Sequence, residues 1–226
     1  MSNMTVIKSR IPESLGKCYK VDTDGTLSKR AIANVSIGVT INFQLSTEEL
    51  ANLLSRVCAN SNLALMSGNF INAEHREHVN LVTERKLAEL VKCDVKDTPG
   101  GIQEVDGKKY AARLKRGIEP GSWVLIDADD PEGMPDGWKV LNLQERLELL
   151  EPLVTGISKC TRVEYRSSSA RVVKDGEQPG DASHAWMQIS DPGKLETLRE
   201  HVKVQMQLQE LSFPSPRYSK GTEQVI

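Results

Sequence analysis

Residues 121–131 read GSWVLIDADDP. An apolar run, Trp123 to Ile126, passes directly into Asp127, Ala128, Asp129 and Asp130, and Pro131 closes it. A short apolar run bounded by turn residues reads as a strand. Side chains two apart on a strand project to one face. Asp127 and Asp129 therefore aim at a common point, and Asp130 aims elsewhere. Two adjacent carboxylates repel unless one is protonated or a cation bridges them. Oxygen-only donors suit Mg²⁺ or Mn²⁺ rather than Zn²⁺. A solvated Asp-Pro turn accounts for the same residues, and the D-x-D pattern alone leaves both readings open.

The flanking sequence sets this strand in a mixed fold. Upstream, VSIGVTINF (35–43) alternates and is rich in β-branched residues, which predicts a strand. Ser46 and Glu49 have capping-box spacing, and Leu45 with Leu50 fits a hydrophobic staple, so a helix follows. LALM (63–66) reads as a short strand and TERKLAELVK (83–92) as a helix. KDTPGGIQEVDGKK (96–109) is turn-rich and is the expected internal boundary. It separates an N-terminal α/β lobe, residues 1–95, from a second lobe, 96–226, within one domain. Downstream, NLQERLELLEP (142–152) predicts a helix with Asn142 as N-cap and Glu145 at the paired position. TRVEYR (161–166) and HAWMQI (184–189) predict strands, and residues 193–209 a helix. The order contains no βαβ repeat. The expected class is α+β, a mixed or antiparallel central sheet flanked by helices.

Bulk properties exclude little. The chain has 226 residues, 38% hydrophobic and 27% charged, which suits a folded core. The formal net charge of −2 gives no global attraction to DNA or to an anionic membrane. Four cysteines, none in a C-x-x-C pair, fit a reducing cytosol. The N-terminus lacks a signal-peptide core and no window is apolar enough to span a membrane, so a cytoplasmic protein is expected. Trp123, Trp138 and Trp186 read as core, with an exposed position the alternative for Trp138 beside Gly137. His75 and His78 read as one solvated face of a helix rather than a zinc site. Lys108, Lys109, Arg113, Lys115 and Arg116 form a basic stretch that suits either a nucleic-acid backbone or a solvated hairpin.

D-x-D after a strand also occurs in haloacid-dehalogenase-like phosphatases and in nucleotide-sugar glycosyltransferases. The former usually carry Thr or Val two positions after the second Asp, where this chain has Pro131. Two downstream motifs point elsewhere. RSSSAR (166–171) follows one strand, and ASHAWMQI (182–189) opens the next. Ser hydroxyls and Arg guanidinium groups suit phosphate oxygens.

The ordered set, D-x-D strand, helix, Ser-ending strand and Ser-His strand, resembles the archaeo-eukaryotic primase superfamily. The likeness is to the primase-polymerase domains of phages, plasmids and other mobile elements, and it covers roughly residues 110–226. It implies an RRM-like catalytic core and a DNA-directed nucleotidyl transfer assisted by two divalent ions, Mg²⁺ or Mn²⁺. By that resemblance Asp127 and Asp129 bind the metal and His184 contacts the phosphates of the incoming nucleotide. Ser167 and Ser169 lie near the same phosphates, Ser168 faces away, and Arg166 or Arg171 adds charge. The implied partners are a single-stranded DNA template, nucleoside triphosphates and a helicase on the same or a neighbouring chain, in a bacterial or phage-infected cell.

The family's third motif is an Asp on a later strand. After Asp191 this chain has no Asp, so that carboxylate is expected beyond Ile226, with Glu223 the acidic substitute at hand. Weak metal binding and weak catalysis are therefore expected of these residues alone. The alternative is a non-catalytic DNA-binding or replication-initiation module on the same fold.

Overall fold

The computed structural model describes residues 2–11, 17–31, 36–127, 136–166 and 183–208. It is mixed α+β, and it divides into two compact units, Met1–Val124 and Leu125–Ile226.

In the first unit, β1 (Ser2–Ser9) is followed by a hairpin, β2 (Lys17–Val21) and β3 (Leu27–Ala31). Next come β4 (Gly38–Leu45), α1 (Thr47–Cys58), β5 (Leu63–Ser67), β6 (Asn69–Phe70) and β7 (His78–Leu81). Then follow α2 (Glu84–Val91), β8 (Gln103–Val105), β9 (Lys108–Ala111) and β10 (Ile118–Glu119). Six strands form one sheet in the order β5-β1-β4-β7-β9-β8. Its pairs are antiparallel except β7 with β9, which is parallel.

Alternation divides the sheet's faces. Thr5 opposes Asn42 and Ile7 opposes Thr40 on one face, while Met4 and Val6 oppose Phe43 and Ile41 on the other. Ile7 joins Phe70, Val79, Leu81 and Ala111 in a buried cluster. The capping box at Ser46 forms as expected: Glu49 N–H donates to Ser46 Oγ (3.3 Å) and Ser46 N–H to Glu49 Oε2 (2.8 Å). Leu50 and Leu54 are buried on α1, beside the similarly buried Leu45.

Two expectations change. Residues 96–109 are no boundary within this unit, because β8 and β9 form a hairpin inside the six-stranded sheet. Asp106 (φ 50°) and Gly107 (φ 69°) make its two-residue turn. His75 and His78 share no helix: His75 lies in a turn and His78 opens β7.

The second unit's sheet has three strands, β11 (Trp123–Asp127), β12 (Arg162–Arg166) and β13 (Ser183–Gln188), in the order β11-β13-β12. The unit boundary falls inside β11. The helices are α3 (Asp136–Lys139), α4 (Leu143–Leu150) and α5 (Leu195–Leu208). Asn142 and Glu145 form the expected capping box at α4. Leu143 and Leu147 of α4 pack with Ala185 and Met187 of β13, and Ile126 and Ile157 border them. Trp123 and Trp186 are buried as expected. Among the described residues no helix is long and apolar enough to cross a membrane.

Gly68 has φ +90°, and a Cβ there would lie 2.1 Å from the Glu119 carbonyl oxygen. Gly68→Ala is expected to cost at least ~2 kcal/mol, from left-handed strain and backbone collision together. Guanidinium unfolding should show a lower midpoint with an unchanged slope.

Glu151 accepts from Gly156 N–H (2.5 Å), Ser158 N–H (3.0 Å) and Ser158 Oγ–H (2.7 Å). The Ser158 and Gly156 donors hold its carboxyl below the usual range. A depressed folded-state value stabilises above the unfolded one and is lost as pH falls through the folded one. Glu151→Gln should therefore melt below wild type at pH 7. The gap should narrow below about pH 4.3, the ordinary glutamate value.

Candidate active site

Strand alternation decides which side chains meet on the three-stranded sheet. Ala185 and Met187 face α4, so His184 and Trp186 project from the opposite face of β13. Ile126 also belongs to the α4 side, which leaves Leu125 and Asp127 on the His184 side of β11. On β12, Tyr165 stands opposite His184 and Val163 opposite Trp186.

The D-x-D strand and the Ser-His strand thus converge. His184 Nδ1 lies 3.0 Å from Asp127 Oδ1. The distance is that of an ion pair, but the contact lacks the alignment of a ring N–H···O hydrogen bond, so Nδ1 is buried without a hydrogen-bond partner. The His184 side chain is 12% exposed and that of Asp127 55%. From the other side, the Tyr165 ring lies 5.2 Å from the His184 ring, centroid to centroid, at a 39° tilt.

The other expected residues are distributed differently. Arg166 is exposed and opposes Ser183, so alternation puts it on the face away from His184. Asp129, Ser167, Ser169 and Arg171 lie outside the described residues, as do Ser168 and Glu223. Tyr165 was not expected. Its sequence context, RVEYR, is an ordinary strand, and only the cross-strand register reveals its neighbour.

The donor set offered to a divalent cation is Asp127, an exposed oxygen ligand, with the neighbouring His184 nitrogen. Among the described residues no three His, Cys, Asp or Glu side chains gather around one point. An exposed carboxylate such as Asp127 is the kind of donor a hard cation accepts.

The basic stretch is partly engaged within the first unit. Lys109 forms an ion pair with Glu77. Burial works to raise the Glu77 carboxyl, but the Lys109 ammonium and the Glu74 N–H outweigh it and hold it low, while Glu77 raises Lys109 in turn. Arg116 donates to the Thr98 carbonyl through Nε (3.1 Å) and Nη2 (2.7 Å), and Nη2 also pairs with Glu84 Oε1 at 2.9 Å. Arg113 and Lys115 are exposed, as is Lys108.

Searches against family models, curated proteins and solved structures find no match to this chain.

Arg116 acts here as a fastener for a buried threonine's carbonyl. Arg116→Ala is expected to cost about 1–3 kcal/mol, because the carbonyl of the buried Thr98 loses its donors. Lys108→Ala, at an exposed position, should stay within about 0.5 kcal/mol of wild type. Chemical denaturation of both variants checks the contrast.

Proposed function

We propose that this chain is a nucleotidyl-transferase domain of the primase-polymerase type, serving replication of a mobile element. The reaction joins a nucleotide 3′-hydroxyl to the α-phosphate of an incoming nucleoside triphosphate on a single-stranded DNA template. One P–O bond forms, the α–β anhydride bond breaks, and pyrophosphate leaves. The supporting observation is the 3.0 Å approach of Asp127 and His184. Two motifs 57 positions apart in sequence, each dull by itself, meet at one point on adjacent strands (184 − 127 = 57).

In this reading Asp127, with Asp129, holds Mg²⁺ or Mn²⁺. When bound, the ions neutralise the triphosphate and acidify the attacking hydroxyl. His184 turns its remaining nitrogen, Nε2, toward phosphate oxygens. Ser167, Ser169 and Arg171 are proposed to supply further donors. A carboxylate 55% exposed stays reachable for a cation. The alternative of a bare DNA-binding module draws less support, since Lys109 and Arg116 of its basic stretch are already tied to Glu77 and Glu84.

Primer synthesis on single-stranded DNA with Mn²⁺ tests the proposal. Asp127→Ala combined with Asp129→Ala should reduce synthesis to background and abolish Mn²⁺-dependent nucleotide binding in calorimetry. Synthesis at wild-type rate in that variant would overturn the reading.

A further inference from the structure

β13 is the middle strand of its sheet, so His184 has a neighbour on each side. Asp127 approaches from β11 and reaches Nδ1, while Tyr165 approaches from β12 and reaches the ring. The two contacts constrain different things. The final side-chain torsion of histidine is broad and roughly two-fold, so the backbone of a strand does not orient the ring. A charge next to Nδ1 selects between the two flipped orientations. An aromatic ring against the imidazole restricts its tilt, since such pairs favour particular geometries at centroid separations of about 4.5–7 Å.

We infer that Tyr165 is a positioning residue: its ring holds the His184 imidazole so that, with Nδ1 turned to Asp127, Nε2 faces the phosphates of the bound nucleotide. The inference rests on the nucleotidyl-transfer reading above. Tyr165 stands directly opposite His184 in the antiparallel register, where cross-strand side chains come closest. Its neighbour on that face, Val163, opposes Trp186 in the same way, so apolar cover for the strand pair is provided one step along. What Tyr165 adds is a flat surface beside an imidazole that has no hydrogen bond to fix its nearer nitrogen.

The test pairs a ring-keeping with a ring-removing substitution: Tyr165→Phe against Tyr165→Leu, with Tyr165→Met as a second ring-removing variant should the leucine variant melt early. His184→Asn assigns the imidazole signals and serves as the control. Two quantities are read. The first is the set of His184 imidazole resonances in the nucleotide-free protein at fixed pH. The second is the affinity for dATP in the presence of Mn²⁺. The phenylalanine variant should match wild type in both. The leucine or methionine variant should move the His184 resonances and weaken dATP binding about tenfold, a loss of about 1.4 kcal/mol.

Unmoved resonances overturn the inference, because Tyr165 then does not hold the ring. Moved resonances with unchanged affinity, while His184→Asn does weaken binding, overturn it as well, because the held orientation then does not matter. If His184→Asn itself binds dATP as tightly as wild type, the phosphate role of the site fails first and takes the inference with it. The control separates that outcome from the other two.

Discussion

The contact of Ala185 and Met187 with Leu143 and Leu147 decides what the rest of the second unit can present. Side chains alternate along a strand, so committing these two residues to α4 commits His184 and Trp186 to the other face. Ile126 imposes the same choice on β11 and leaves Asp127 on the His184 side. A slip of one residue would turn the imidazole into the leucine-lined core and Met187 out of it. Burying an unpartnered polar ring costs several kcal/mol at the upper end of measured penalties, of order 2–7 kcal/mol. Apolar packing on one face thereby enforces the polar arrangement on the other.

Much of this was legible along the chain, for identifiable reasons. Capping boxes need two residues at fixed spacing, and both were found: Ser46 with Glu49, and Asn142 with Glu145. Alternation made β4 readable, and short runs of strand-forming residues made β11, β12 and β13 readable. β1 could not: Met4, Thr5, Val6 and Ile7 are all buried, and a strand covered on both faces loses the period of two. The Asp106-Gly107 pair was a hairpin signal, but the surrounding Pro, Gly and charges suggested a linker instead. His75 and His78 looked helical by spacing alone. Arg76 between them takes φ 58° and donates its N–H to the Asn42 carbonyl, which ends any helix there.

Of the candidate site, the two strand-end residues Asp127 and His184 were legible, because each closes or opens a strongly apolar run. Their contact was legible only through the order of the motifs. Tyr165 was not legible, since its place beside His184 depends on a register that pairs position 165 with 184. The basic stretch misled in a different way. Sequence displays charge but not its partners, and Glu77 and Glu84 lie 32 positions from the cations they meet, Lys109 and Arg116.

Two carboxylates in the second unit show how differently an acidic group can be used. Glu151 receives three donors within 3.0 Å, and every bond lies within residues 151–158. That is a carboxylate spent on structure. Asp127 instead stands 3.0 Å from His184 Nδ1, a buried nitrogen with no hydrogen-bond partner, and more than half of its side chain meets water. Such a pair gains little as an ion pair, because an exposed partner screens the attraction. The misalignment forfeits the directional part of the hydrogen bond. A pair arranged this way contributes little to folding by its mutual attraction, whereas Glu151 is built into its loop by three donors.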